Sequence, residues 1–158
     1  MKLNSTSFFN NQFIPQKYCS PETTIGQNIS PQLNWINFPT TTKSFLLTFK
    51  SLHPKDSNQL HWILADIPTN ITKIPEGASN SSKMPEGINE LENSFGKRGY
   101  TGPQAPKGRG EHFYEATIYA LDVRNTGLSG EINEKKLLNK IKGNILSQAN
   151  LSGKVNIQ

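Results

Sequence analysis

LHWILADI, residues Leu60–Ile67, is an eight-residue run that is largely apolar on both of its alternating faces, and Pro68 ends it because proline cannot donate to a ladder. Strict alternation puts His61, Ile63, Ala65 and Ile67 on one face and Leu60, Trp62, Leu64 and Asp66 on the other. A strand apolar on both faces is expected in the middle of a sheet covered by two layers. Two further runs read the same way. KSFLLTF (Lys43–Phe49) sets Phe45, Leu47 and Phe49 against Leu46 and Thr48, and HFYEATIYALD (His112–Asp122) aligns His112, Tyr114, Ala116, Ile118 and Ala120. Between and around these runs lie polar, Gly/Pro-rich connections, including Ile74–Gly99.

Asn133–Asn150 predicts the one helix, with Leu137, Leu138, Ile141, Ile145 and Ala149 at helical spacing and Asn133 as N-cap; Gly143 inside it costs about 1 kcal/mol relative to Ala. LSGKVNI (Leu151–Ile157) predicts a returning edge strand. The fold class is therefore mostly β, two packed antiparallel sheets with a C-terminal helix. A chain of 158 residues fits one domain, 1–158, and is too short for two ordinary ones.

Composition narrows the functional classes. The net charge of +5 favours anionic partners in general. Lys135, Lys136, Lys140 and Lys142 read as a solvated helix face, and with no binding motif beside them no nucleic-acid partner is expected. Cys19 is the single cysteine, so no internal disulfide forms. MKLNSTSFFNNQF lacks an apolar leader core, Met1 reads as the native start, and no stretch approaches membrane-spanning length. A soluble, cytoplasmic protein without integral membrane insertion is the expectation.

His61, His112 and Tyr114 are the candidate site. His112 and Tyr114 share a strand face, His61 comes from a neighbouring strand, and the segment GPQAPKGRGEH (Gly102–His112) offers backbone N–H groups from Gly102, Gly108 and Gly110. Neutral donors under a glycine-rich loop suit an oxyanion such as phosphate. Neighbouring imidazoles disfavour each other's charge, so the empty pocket should be mostly neutral near pH 7 and take up a proton when an anion arrives. No cofactor is expected. Zinc held by His53, His61 and His112 is a minor option, since the spacing matches no compact zinc motif.

Beyond these periodicities, MKLNSTSFFNNQFIPQKY, ISPQLNW, SFLLTF, HWILADIP, IPEG and MPEG, FGKRGYTGPQAPKGRGEHFY and IYALD occur in an order that resembles the bacterial branch of the phosphatidylethanolamine-binding protein family, which includes the Raf kinase inhibitor proteins. The resemblance spans nearly the whole chain. It implies a Greek-key arrangement of two antiparallel sheets with a C-terminal helix and an anion pocket at one end. It implies binding of a phosphate-bearing small molecule or phospholipid headgroup, and members are described as lipid-binding, kinase-regulating or protease-inhibiting. Carried over by position, the pocket residues are His61, His112 and Tyr114, with Gly110 and Pro106 in the wall.

The chain departs from the family pattern in two places. Where the family carries Asp-Pro-Asp-x-Pro, an ungapped reading gives Ser51, Leu52, His53, Pro54 and Lys55, so both acids are missing. Where the family reads His-Arg-Tyr, Phe113 replaces the arginine. A short insertion falls between Tyr18 and Ile29. Ser51 and His53 then join the ligand-binding set, and a more positive rim favours simple or highly charged anions over an ammonium-bearing headgroup.

The function read from these residues is noncatalytic anion binding, with a kinase or other protein partner and a homodimer left open. A phosphoester-directed enzyme using His61 and His112 is the alternative, with Ser51 as the available nucleophile and no carboxylate placed to orient a histidine, because Asp66 and Glu115 fall on opposite faces from His61 and His112. A protease-inhibiting interaction protein is a further alternative. Trp35 and Trp62 read as core.

Overall fold

The computed structural model describes residues 1–22, 25–56 and 58–156. Among these, β1 (Lys2–Asn4), β3 (Leu33–Ile36) and β6 (Lys73–Ile74) form a small sheet in the order β1-β3-β6. β2 (Gln12–Phe13), β4 (Ser44–Ser51), β5 (Leu60–Ile67), β7 (Asn89–Glu90), β8 (Glu111–Leu121) and β9 (Ile145–Asn156) form the large one, in the order β2-β9-β8-β4-β5-β7. The architecture is the mostly β, two-sheet arrangement that the alternation predicts. Pairing is antiparallel except at one edge, where β2 runs parallel to β9.

Two apolar layers lie on either side of the large sheet. Phe45, Leu47, Phe49, Trp62, Leu64, Ala116, Ile118 and Ala120 pack towards Leu3, Leu33, Trp35 and Ile74 of the small sheet. Leu46, Leu60, Ile63, Ala65, Tyr119 and Leu121 pack on the other side against Ile132, Leu137 and Ile141. This double covering explains why β5 is apolar on both faces. Trp35 and Trp62 are both core residues. The Trp62 indole N–H donates to the Glu90 carboxylate at 2.8 Å.

The helix is shorter than its spacing predicts. α1 spans Glu134–Ile141, with the Asn133 side chain accepting from the Lys136 N–H at 2.8 Å as N-cap. Residues 145–150, expected to be helical, are instead the first half of β9, and the chain's last described element is a strand. Gly143 weakens the helix beyond Ile141. More decisively, β8 offers an eleven-residue edge, and β9 pairs with it from Glu111 opposite Asn156 to Leu121 opposite Ile145. The i, i+4 spacing of Ile141, Ile145 and Ala149 is incidental to that ladder. β9 is an interior strand where β2 covers it, not the edge strand predicted from Leu151; Ile157, the last residue of that prediction, lies outside the described residues.

Two bulges break the alternation of β5. Phe49 pairs with Trp62 and Lys50 with Leu60, so His61 is an extra residue without a partner on β4. Near the other end, Ala65 and Asp66 oppose Leu46 alone, and Asp66 adopts a left-handed φ of 56°. The faces of β5 therefore differ from strict alternation: Leu60 joins Ile63 and Ala65 beneath α1, while Ile67 joins Trp62 and Leu64 between the sheets. A bulge adds one residue to one strand and redirects the side chains beside it.

Candidate functional site

The bulge turns the His61 ring to the inter-sheet side, among Phe49, Phe95 and Tyr114 at centroid distances of 6.2, 4.9 and 5.5 Å. His61 is 3% exposed. Its Nδ1 lies 2.7 Å from the Thr101 carbonyl oxygen, and the Thr101 N–H donates back to the His61 carbonyl at 3.0 Å. A carbonyl only accepts, so Nδ1 carries the hydrogen, and in the neutral ring Nε2 is left as the acceptor. Asn93 steadies this arrangement by donating to the Gly99 carbonyl at 2.9 Å and to the Thr101 hydroxyl at 2.8 Å.

Burial lowers the His61 pKa, opposed by the hydrogen bonds to Thr101 and Gly102 and by the Asp56 carboxylate. The neutrality expected from paired imidazoles thus has another principal cause, desolvation. Tyr114 is buried on β8, and burial pushes its hydroxyl up to about 12, with the Gln104 N–H pulling the other way. Phe49 stacks between Tyr114 and Tyr100, at 5.9 and 5.8 Å, and the Tyr100 hydroxyl donates to the Tyr18 carbonyl at 2.8 Å. Phe49, Tyr100 and Tyr114 thus form a buried aromatic block beside His61.

His112, two residues before Tyr114 on β8, is half-buried and stacks on His53, with centroids 5.1 Å apart and planes 18° from parallel. His53 is fixed from below: the Ser51 hydroxyl accepts its N–H at 3.1 Å, and its Nδ1 accepts the Lys55 N–H at 3.2 Å. Ser51 is itself buried, opposite Tyr114 in the β4–β8 ladder. The structure thus brings His61 of β5 to Tyr114 of β8 across the intervening β4, so the two strands are not neighbours as expected, and it brings His53, just past β4, to His112 of β8, all at one end of the large sheet. Among the described residues no three His, Cys, Asp or Glu side chains gather to hold a metal ion, and His53, His61 and His112 form no such cluster.

The loop glycines divide by role. Gly102, expected to offer a free N–H, donates to the Asn28 side chain at 2.7 Å, and a Cβ on it would lie 2.2 Å from the Tyr18 carbonyl oxygen. It is a close-packing residue. Gly108 and Gly110 have left-handed φ of 70° and 78° with open space around them, and Pro106 and Gly110 are solvent-exposed. They occupy an exposed loop closed by the Arg109 N–H on the Pro106 carbonyl.

Sequence reading missed Phe95, Thr101, Gln104 and Asp56. Asp56 ends the 3₁₀ turn Pro54–Asp56, and its charge is a lesser, through-space influence that opposes the lowering of the His61 pKa and adds to the raising of that of Tyr114. The available signal was that Asp56 is the one acid in the loop between β4 and β5. Asp66 and Glu115 do not orient a histidine: Asp66 accepts from Thr126 and Asn89, and Glu115 accepts from the Ser152 hydroxyl.

Comparison with known proteins adds to this geometry. The profile of the phosphatidylethanolamine-binding protein family matches residues 4–156. A UPF0098 protein of Aquifex aeolicus is 36% identical over 155 residues, covering 97% of this chain and 86% of that protein. A UPF0098 protein of Methanothermobacter thermautotrophicus is 30% identical, covering 97% of each. The crystal structure of Escherichia coli YbcL, described as a member of the mammalian PEBP family, superposes with a TM-score of 0.91 at 25% identity, covering 99% of this chain and 98% of that one. Among the described residues no helix is long and apolar enough to cross a membrane. With its two-sheet fold, His61–Trp62 on β5 and His112–Tyr114 on β8 on either side of β4, and a match over almost its full length, the chain belongs to the phosphatidylethanolamine-binding protein family.

Proposed function

We propose that this protein is a noncatalytic binding protein for a phosphate-type oxyanion, taken at the end of the large sheet by His61, His112 and Tyr114. His53 and Ser51 support His112 from the β4 side, and Pro106 and Gly110 form the rim. The observation that carries this reading is the buried His61 ring, whose Nδ1 is committed to the Thr101 carbonyl. Nε2 is then the atom left for a ligand. An arriving anion favours the protonated ring, so binding converts Nε2 from acceptor to charged donor. A free phosphate ester and a phospholipid headgroup share this chemistry, and a phosphorylated side chain of a protein partner would use the same contacts.

The absence of catalysis is supported by what surrounds the histidines. Among the described residues no carboxylate hydrogen-bonds a histidine, and the Ser51 hydroxyl accepts the His53 backbone N–H. No hydrogen bond among these residues links a nucleophile to a base and an orienting acid, which is what the noncatalytic reading leans on. Calorimetric titration of phosphate and of O-phosphoethanolamine into the wild type and into His61→Ala and His112→Ala, in two buffers of different ionisation enthalpy, tests the proposal. Saturable heat that depends on the buffer and is lost in both variants is expected. Equal binding in the wild type and the variants, or no binding of either ligand, would exclude the site; turnover of phosphoesters lost in His112→Ala would make the protein an enzyme.

A further inference from the structure

A groove of about 560 Å³ runs between α1 and the loop that leads into it. It lies on the α1 side of the large sheet, whereas Phe49 and Tyr114, beside His61, belong to the layer between the sheets. Residues 127–129 of the loop form one wall, and Lys135, Lys136, Asn139 and Lys140 of α1 form the other. The volume falls within the roughly 300–1,000 Å³ of small-molecule sites. Its lining contains three cations and no acid. Lys142, the C-cap of α1, lies outside it.

Helix stability does not account for this charge. Lys135 and Lys136 stand in the first turn of α1, the end at which the helix dipole disfavours cations. Lys140, in the last turn, suits the dipole but stands four residues from Lys136, a like-charge spacing that opposes the helix. Glu134, the acid of the first turn, pairs with Lys50 of β4. Among the described residues, carboxylates pair with Lys17, Lys50, Lys97 and Lys154 and with none of the three lysines of the groove. The first-turn N–H groups are occupied as well. Those of Glu134 and Lys135 donate to the Asn58 main-chain and side-chain carbonyls at 3.1 and 3.0 Å, and that of Lys136 to the Asn133 side chain at 2.8 Å. What the groove offers an anion is therefore its side chains.

Two of those side chains are already held in place. Lys136 Nζ donates to the Ser129 and Glu131 carbonyls at 3.1 and 2.9 Å, which leaves its third N–H for a ligand in a fixed direction. Lys140 lies along the loop, its Cε and Nζ 3.4 and 3.5 Å from where a Cβ on Gly127 would stand, so the glycine leaves room for it. A lysine ordered in the folded protein gives up less side-chain entropy when it binds. Leu128, half-buried against the core beneath α1, and the lysine stems supply apolar surface beside the charges. We propose that this groove is a second ligand site, independent of the pocket at the sheet end, for a small organic polyphosphate. Its phosphate groups lie at Lys135, Lys136 and Lys140, and its less polar body rests on Leu128.

Titration of magnesium-free ATP and of inorganic tripolyphosphate into ¹⁵N-labelled protein, followed amide by amide at about 0.15 M salt, tests this. The amides of residues 127–129 and 135–140 should shift and saturate with a Kd of about 0.1 mM for ATP. Tripolyphosphate, which has no body to rest on Leu128, should bind about fivefold more weakly, and Leu128→Ser should remove that difference. Lys136→Gln and Lys140→Gln should each weaken ATP about tenfold, the loss of one charge-assisted contact. Lys142→Gln, an equal loss of charge outside the groove, should weaken it about twofold at most. Lys140 makes no hydrogen bond through its ammonium among the described residues, so Lys140→Gln keeps the test clear of any loosening of the loop in Lys136→Gln. Circular dichroism and unchanged β8–β9 amide shifts establish that each variant is folded. No shift at residues 127–129 and 135–140 in about 10 mM ATP overturns the proposal, as do shifts confined to the surroundings of His61 and His112. Equal weakening by Lys142→Gln and Lys140→Gln overturns it too, since attraction to the charge of the helix would then suffice.

Discussion

The His61 ring stands perpendicular to the Tyr114 ring, 89° between planes and 5.5 Å between centroids, because a bulge inserts His61 into β5 without a partner on β4. Unbulged alternation would have placed His61 with Ile63 under α1, away from Tyr114. The irregularity in the ladder is what brings the two side chains to one place.

Because burial lowers the His61 pKa, the unfolded chain binds a proton there more readily than the folded one. Stability should be level above the ordinary histidine value of 6.5 and fall as pH drops below it, down to the lowered native value. Denaturant melts from pH 8 to pH 5 on the wild type and on His61→Gln measure this. The variant should lose part of the acid-side slope, and saturating phosphate should flatten it in the wild type.

All four tyrosines, Tyr18, Tyr100, Tyr114 and Tyr119, are raised above the ordinary value of 10, with burial the first cause in each. The unfolded chain therefore loses these protons first, and stability should fall as pH climbs from 10 towards 12. In absorbance at 295 nm the native protein should show no phenolate step near pH 10. The chain in concentrated guanidinium should show one.

Gly102 and Gly110 should respond differently to the same substitution. A Cβ on Gly102 meets the Tyr18 backbone at 2.2 Å, so Gly102→Ala should cost about 3 kcal/mol or more, roughly 6–12 °C in Tm. Gly110→Ala meets open space, and only its φ of 78° opposes the change, at a cost of about 1 kcal/mol. Thermal scans of the two variants side by side give the contrast.

The Asp56 carboxylate favours the protonated form of His61 through space, and under the proposed function we expect it to attract a ligand ammonium as well. Asp56→Asn should reduce the preference for O-phosphoethanolamine over phosphate about fivefold, the size of one modest ion pair. Competition titrations with the two ligands measure that ratio directly. An unchanged ratio would show that the carboxylate takes no part in selection.

The N-cap gives a check on the helix boundary. Asn133→Ala should cost about 1 kcal/mol, roughly 2–4 °C in Tm, by orphaning the Lys136 N–H. Asn150→Ala, at the end of the stretch once expected to be helical, should act through the lost hydrogen bond from the Thr117 hydroxyl across the β8–β9 ladder.

The sequence by itself determined the strands and their core faces wherever alternation runs unbroken. In β4 and β8, Phe45, Leu47 and Phe49 and then Tyr114, Ala116, Ile118 and Ala120 lie on the faces that period two assigns, because burial on one side forces that period. The motif residues His61, His112 and Tyr114 were legible too, since polar rings within apolar runs stand out. Tertiary structure decided what depends on pairing between distant segments. The bulge at His61 exists only relative to β4, the strand at Ile145–Asn150 only because β8 needs a partner, and the stack of His112 on His53 only because two chain ends of neighbouring strands meet. Local propensity is a small energy per residue, and completing a ladder satisfies many main-chain groups together, so the ladder prevails where the two disagree.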